Sequence, residues 1–381
     1  ENPYAISNEF INKRNRNSIT GNVQVNYNIV NGLNLQLRTA VDMGYDQREQ
    51  DRPYDAGSKL VKGSYRAQNI YSQEITNDFL LRYNRKVTKN FDLTFTAGGS
   101  TLTNTYNKDE VRADSLTYPG IYSAANAAGP LVSLPYKTKY KLNSFYGLFS
   151  AAYKNYLYLD LTGRKDWVST LATPFRTENS GFFYPSASAS FVLSDFTKLP
   201  SQISFAKLRA SIAGVGSGST NPYLTSYNYT TAGNGLYPGG ALQNPSTLAN
   251  PNLKPLKTTT YEIGTDIRLF NNRFGFDLTL YTGNTKNQIL NRIVDRASGT
   301  NVVVTNIGRV NNQGIELAVN GTPFRSSKNG FGWSLYGTFT ANRNKIIELG
   351  DSSVILRNSP VAGGQIVAKV GGSMGDLYGR G

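Results

Sequence analysis

The chain has 381 residues, of which 39% are hydrophobic, and a formal net charge of +15 from 40 basic and 25 acidic side chains. Cysteine and histidine are both absent, which excludes a disulfide framework, a thiolate metal site and histidine-based proton transfer or zinc binding. No run of eighteen apolar residues is present, so a spanning helix is excluded, whereas spanning strands, whose side chains alternate, remain open.

The first clear element runs from Asn17 to Asp46. Ile19, Val23, Val25 and Tyr27 fall on one face and Ser18, Asn22, Gln24 and Asn26 on the other, and Asn31-Gly32 then supplies a tight hairpin turn. The return strand puts Leu33, Leu35, Leu37, Thr39, Val41, Met43 and Tyr45 on one side against Asn34, Gln36, Arg38, Asp42 and Asp46. About thirteen residues of period two exceed an ordinary soluble strand and suit a tilted membrane-spanning one.

The same unit recurs along the chain. Tyr71–Tyr83 turns through Lys86–Asn90 into Phe91, Leu93, Phe95 and Ala97, and Phe145–Tyr153 turns at Lys154-Asn155 into Leu157, Leu159, Leu161 and Gly163. Phe183–Leu193 leads through a longer link to Lys207–Gly216, and Tyr261–Leu269 turns at Asn271-Asn272 into Phe274, Phe276, Leu278 and Leu280. Ile315, Leu317 and Val319 are followed, after Pro323–Asn329, by Trp333, Leu335 and Phe339. The expectation is all-β: about twelve strands in six hairpins, part of a large antiparallel transmembrane β-barrel.

Connections inside the hairpins are short, and those between them are long, roughly 46–69, 100–141, 165–182, 217–256, 282–311 and everything after about 342. Bacterial outer-membrane barrels alternate short periplasmic turns with long extracellular loops in this way. Tyr27, Tyr83, Phe91, Tyr153, Tyr156, Phe270, Phe274 and Phe331 flank the short turns, as a girdle at the membrane edge would. Leu35, Leu37, Phe79, Leu81, Leu159, Ile267, Leu278 and Leu317 are expected to face lipid, and Arg38, Asp78, Arg82, Asp160, Asp266 and Glu316 the lumen. The basic residues are scattered, with Lys13-Arg14-Asn15-Arg16 the nearest to a cluster, so nucleic acid is not an expected partner. Anionic lipopolysaccharide and membrane lipid account for the basic excess.

Several ordered motifs then narrow the class. Asn250-Pro-Asn-Leu-Lys-Pro255, Lys257-Thr-Thr-Thr-Tyr-Glu-Ile-Gly264 and Phe270-Asn-Asn-Arg273 come in sequence. They are joined by Arg164-Lys-Asp166, Tyr184-Pro185-Ser186, Lys207-Leu-Arg-Ala-Ser211, Asn306-Ile-Gly308 with Asn312-Gln-Gly314-Ile-Glu316, and Gly371-Gly-Ser-Met-Gly-Asp-Leu-Tyr-Gly379. From about Arg164 onward the chain resembles SusC/RagA-type TonB-linked outer-membrane proteins of Bacteroidetes type; residues 1–163 share only the strand pattern. The resemblance implies a barrel of about twenty-two strands closed by an N-terminal plug. Residues 1–381 are accordingly expected to be one partial barrel domain, an internal piece with no signal peptide, plug, TonB box or terminal strand.

Two motifs point elsewhere and are discounted. Gly371-Gly-Ser373-Met-Gly375 fits the spacing of a hydrolase nucleophile elbow but has no histidine to serve as base. Gly214-Val-Gly-Ser-Gly218 misses the spacing of a phosphate loop and opens no helix. No catalytic residue, cofactor or metal ligand is expected, and the chain is not read as an enzyme. Contacts to substrate or partner are sought in the aromatic loop residues Trp167, Tyr223, Tyr227, Tyr229 and Tyr237, because rings stack on sugars and peptides. The resemblance implies TonB-dependent import of oligosaccharide or peptide, with a SusD-like surface lipoprotein and the TonB–ExbB–ExbD complex as partners. A passive porin or structural barrel, and a soluble all-β adhesion protein, stand as alternatives.

Overall fold

Long alternating runs rich in β-branched and aromatic residues, interrupted by Asn and Gly, specify strands and tight turns and little else. The computed structural model describes residues 3–55, 61–219, 221–231, 241–324, 330–350, 353–358 and 364–379. Twelve strands form the main sheet: β1 (Asn12–Val30), β2 (Leu33–Arg52), β3 (Ser64–Thr88), β4 (Phe91–Ala113), β5 (Tyr136–Tyr153), β6 (Leu157–Val168), β7 (Gly181–Val192), β8 (Ile203–Ser217), β9 (Leu256–Leu269), β10 (Phe274–Lys286), β11 (Arg309–Phe324) and β12 (Trp333–Glu348). They pair in chain order from β1 to β12, and Val132–Ser133 adds a short antiparallel pairing to β4.

All twelve expected strands are present, but they run further than expected. β3 has 25 residues and β4 has 23, so the linkers shrink to 53–63, 114–135, 169–180, 218–255 and 287–308. The β3–β4 turn likewise tightens to Lys89-Asn90, because β3 continues to Thr88. Beyond the apolar stretch the backbone keeps pairing while both faces turn polar, which removes the alternation that marks a strand in sequence.

The chain divides into two compact units. One comprises Glu1–Tyr27, Gln36–Phe79 and Ser100–Asn143, and several polar contacts are buried or half-buried in it. Asp46 accepts from both Arg14 and Arg48, each at 2.8 Å, and those hydrogen bonds, Arg14's the stronger influence, hold its carboxyl well below the usual range. Arg38 and Asp78, expected on one face, form a 2.6 Å ion pair. Glu110 is 2% exposed and is met by Arg66 Nε at 2.7 Å, Lys108 Nζ at 2.7 Å and Gln68 Nε2 at 2.7 Å. Burial pushes this carboxyl up, but the hydrogen bonds and charges of those partners outweigh it and hold it at about 2. In the β4–β5 loop the Asn126 side chain accepts from Tyr118 N at 3.1 Å and donates to the carbonyls of Tyr118 and Ile121 at 2.8 and 2.7 Å.

The second unit comprises Asn28–Leu35, Leu80–Gly99 and Ser144–Gly381. Its short turns are stitched together along one edge. Asn84 N donates to Gly32 O (2.8 Å), Lys154 N to Asn90 O (2.8 Å), Val192 N to Tyr156 O (2.7 Å), Phe270 N to Gln202 O (2.8 Å) and Thr322 N to Arg273 O (2.7 Å). The Lys154-Asn155 turn has φ of 47° and 60°, and Phe270, Asn271 and Asn272 have 53°, 53° and 59°. Asn tolerates this left-handed region, whereas Lys154 and Phe270 adopt it against their preference. Of the expected aromatics, Phe91, Tyr153, Tyr156, Phe270 and Phe274 meet here, joined by Phe196: Phe91–Tyr153 at 6.0 Å, Tyr153–Tyr156 at 5.6 Å, Tyr156–Phe196 at 5.1 Å and Phe270–Phe274 at 6.2 Å between ring centroids.

The two faces of this unit are chemically sorted. Leu278 stands opposite Thr265 and Leu317, Ile267 opposite Phe276, which faces Val319, and Leu159 opposite Ala189. One residue away on each strand, Asp266 stands opposite Lys207 and Asp277, Asp160 opposite Ser188, and Glu316 opposite Thr279 and Thr340. A single-residue slip would exchange the two sets, so the register is strongly specified. At the far end of β12, Val310, Ile346 and Ala368 form a small buried core with Leu349 and Met374 packed on it. No helix of the described residues is long and apolar enough to cross a membrane.

Candidate functional site

The loops that follow β6, β8 and β10 in the second unit carry most of the sequence motifs, and they are tied to one another. Thr170 Oγ1 donates to Ser219 O at 2.6 Å, and Thr225 Oγ1 to Ala172 O at 2.8 Å. Arg176 reaches across to the side chain of Asn252 and to Pro251 O. The Asn250–Pro255 motif is a compact turn: Asn250 Oδ1 accepts from Asn252 N at 2.9 Å, and Leu253 is fully buried.

Asn306 locks this turn in place. Its Oδ1 accepts from Lys254 N at 2.7 Å, and its Nδ2 donates to Lys254 O at 2.8 Å and to Asn287 O at 2.9 Å. An amide offers donor and acceptor together, which is what a backbone N–H and C=O presented side by side require. Asn306 ends a short strand, Val302–Asn306, that pairs antiparallel with Ile289–Ile293 and parallel with Thr247–Leu248. Motifs 52 residues apart thus build one scaffold.

Beside that scaffold lies a cavity of about 530 Å³. Ser219, Asn221, Gln288 and Asn291 contribute polar edges, Leu224 and Ile289 contribute apolar surface, and no charged residue lines it among the described residues. A site of this size and chemistry matches an uncharged group rich in hydrogen-bonding capacity. Gln288 and Asn291 were not expected from the sequence, where amides in a polar loop look like any solvated residue.

Of the expected contact residues, Tyr227 and Tyr229 come together, their rings perpendicular at 5.5 Å, with Tyr227 Oη donating to Asn244 Oδ1 at 3.0 Å. Tyr223, half exposed, precedes Leu224 of the cavity wall with φ of 67°, a conformation costly for an aromatic residue. Tyr237 lies outside the described residues. Trp167 sits on β6 instead, on the face of Leu157, Leu159 and Leu161, with Phe145 at 6.4 Å and Lys165 Nζ at 5.1 Å from its ring. Ten residues above Leu157 correspond to about 34 Å of strand, or about 26 Å of height at a tilt of about 40°.

The polar face of β5–β7 carries the Arg164-Lys-Asp166 and Tyr184 motifs as one cluster. Arg164 Nε donates to Asp166 Oδ1 and Nη2 to Ser144 Oγ, both at 2.8 Å, and Tyr184 Oη donates to Asp166. Asp166 and Ser144 are buried, and the guanidinium lies 5.6 Å from the Tyr146 ring. The discounted motifs also have structural explanations. Ser373 sits in a turn where its N–H donates to Asp376 Oδ2 at 3.0 Å and Met374 N–H to Asn344 Oδ1 at 3.0 Å. A Cβ at Gly216 would collide with the Phe182 ring, so that glycine serves close packing. No group of three or more Asp or Glu that could hold a metal occurs among the described residues.

Comparison with known proteins gives the family context. The model for "TonB dependent receptor-like, beta-barrel" matches residues 2–370. TonB-dependent receptor P26 of Formosa agariphila is 26% identical over 350 residues, covering 88% of this chain and 34% of that protein. TonB-dependent receptor SusC of Bacteroides thetaiotaomicron is 25% identical over 368 residues, covering 93% of this chain and 35% of that one. The chain therefore spans about a third of the length of these relatives. Among solved structures, the RagAB peptide transporter aligns with a TM-score of 0.80 at 19% identity over 97% of this chain and 40% of that chain, which shows a shared fold. The siderophore receptor PiuA from Acinetobacter baumannii aligns at 0.58 with 15% identity over 95% of this chain and 50% of that chain.

Proposed function

This chain belongs to the TonB dependent receptor-like β-barrel family, and on that premise we propose that it forms the middle of the barrel of an active outer-membrane importer of oligosaccharides or peptides. The family consists of receptors and transporters, not enzymes, and its place is the outer membrane, which sets aside the soluble adhesion reading. The observation that carries the proposal is the sorted sheet. An apolar face suits contact with lipid, a charged and hydrogen-bonded face suits a wet or plugged lumen, and the stitched edge of short turns suits the periplasmic side.

In this reading the long loops lie outside the cell. The cavity beside Asn306, with Tyr223 next to its wall residue Leu224 and with the paired rings of Tyr227 and Tyr229, contributes to capture of substrate or to contact with a SusD-like lipoprotein, and Trp167 and Tyr237 stay candidate contacts by residue type alone. TonB–ExbB–ExbD would act through a plug supplied by the rest of the protein. The RagAB transporter that shares this fold carries peptide, and the described cavity lining, which is neutral, is compatible with a peptide or an oligosaccharide.

The test is uptake by cells making the full-length protein, using labelled neutral oligosaccharides and short peptides with and without a protonophore. One cargo class is expected to enter only when the gene is intact and the proton gradient stands. Uptake that continues after the gradient collapses would point to a passive pore and overturn the proposal.

A further inference from the structure

The apolar face of the second unit is interrupted by a groove of about 460 Å³. Its floor is made by Ala97, Gly147 and Gly163, which have little or no side chain, between walls that include Phe95 and Phe149, whose rings are 5.0 Å apart. These positions alternate with the polar face: Gly163 follows Leu157, Leu159 and Leu161 in register, and Phe149 follows Phe145 and Gly147. The groove spans β2 to β7's neighbour β6, four interstrand steps or about 19 Å. That is comparable with an extended fatty-acyl chain. A protein wall in contact with lipid does not leave such a hollow empty, because unfilled apolar surface forfeits its dispersion contacts.

The end nearest the short turns is chemically different. Leu33 and Tyr83 close the lining there, and Arg85 lies two residues closer to the turn on the same face of β3. Lys89 occupies the β3–β4 turn, and Lys154, whose N–H is bonded to Asn90, holds its Nζ 5.4 Å from the Tyr153 ring. All three cations are exposed, and no described carboxylate pairs with them. The neighbouring Asp92 falls on the opposite parity of β4. Long basic side chains at this level reach the headgroup region with their stems on apolar surface.

We propose that this groove is a phospholipid site: it takes an acyl chain of an anionic phospholipid from the leaflet on the short-turn side, and Arg85, Lys89 and Lys154 hold the phosphate. Arg85 comes two residues after the lining residue Tyr83, and Lys89 and Lys154 lie in the adjoining short turns. The charge therefore stands on the short-turn side of the hollow, which a free phosphate would not require and which is the wrong end for a lipid of the opposite leaflet. The inference rests on the membrane placement proposed above but not on import.

Full-length protein purified in mild detergent is offered equal amounts of phosphatidylglycerol and phosphatidylcholine, and the lipid retained is read by native mass spectrometry. Wild type is expected to keep phosphatidylglycerol preferentially. Gly147→Phe should release it while the barrel remains heat-modifiable, since a Cβ at Gly147 meets only Thr96 O at 3.9 Å. Arg85→Gln with Lys154→Gln should lower the preference by about fivefold per charge. Unchanged retention in Gly147→Phe, or unchanged preference in the charge variant, overturns the proposal. Wild type exposed to phosphatidylglycerol bearing a photoreactive acyl chain supplies a second reading that needs no variant. Labels should concentrate within 93–97 and 145–149, and an even spread over the apolar face, or a protein found seated there instead, overturns it. A barrel that binds this lipid yet imports nothing would sink the importer reading and leave this one standing.

Discussion

Placing arginine on the apolar face tests the assignment of faces most directly. Leu278 lies four residues above Phe274 on β10, about 14 Å along the strand and, at a tilt of about 40°, about 10 Å into an apolar band about 25 Å tall. Leu159 lies three residues above Tyr156 and slightly shallower. An arginine near the bilayer midplane of a barrel costs roughly 2–4 kcal/mol. The two positions are four strands apart, about 19 Å, which is beyond the range over which substitutions usually couple. Leu159→Arg with Leu278→Arg should therefore cost roughly 4–8 kcal/mol, a large share of the about 5–15 kcal/mol that stabilises a typical folded protein. The full-length double variant is expected to lose its heat-modifiable band on a gel. Thr340→Arg provides the control, because Thr340 stands directly opposite Glu316 on the other face at similar height. Assembly of the double leucine variant together with failure of Thr340→Arg would show the faces to be reversed.

Two further predictions concern the loops and the upper strands. Glu110 has its folded pKa depressed from 4.5 to about 2, so its stabilising contribution is complete above about 4.5 and lost as pH falls toward 2. Amide exchange in β3 and β4 around Arg66 and Glu110 should accelerate through that window, and in Glu110→Gln the acceleration should vanish; an identical acid profile in the variant would refute the role. Asn306→Ala removes three hydrogen bonds to Lys254 and Asn287, at about 1 kcal/mol each. Limited proteolysis should then open the 241–255 segment while heat-modifiable barrel assembly is retained, and protection equal to wild type would show the clamp to be dispensable.

What could be read from the sequence follows a physical boundary. Inside the apolar band one face must avoid charge, so β2, β9 and β10 announce themselves by alternation, and the Asn-rich turns announce the hairpin tips. Above the band neither face is constrained, and Ser100–Ala113 reads as a polar loop although β4 carries it as strand. The motifs of the candidate site were visible as patterns, but their partnership was not. Nothing in Asn250–Pro255 indicates that its backbone is held by a side chain 52 residues later, and nothing about Tyr227 and Tyr229 fixes the perpendicular contact of their rings.

Gly264, the last residue of the Tyr261-Glu-Ile-Gly264 motif, shows why such information stays hidden until strands are laid side by side. It sits in the middle of β9, where glycine weakens a strand, so local propensity argues against it. In the sheet it stands between Arg209 on β8 and Thr279 on β10. A Cβ there would lie 2.6 Å from Arg209 Nε. With no side chain in the way, the guanidinium crosses β9 and donates to Asp277 Oδ2 at 3.0 Å and Thr279 Oγ1 at 2.7 Å, two strands away. Those hydrogen bonds hold a charge pair on the polar face, where neither group has to enter hydrocarbon. The glycine is therefore explained by its neighbours across the sheet and not by its neighbours in the chain, and the same holds for every residue whose partner lies a full strand away.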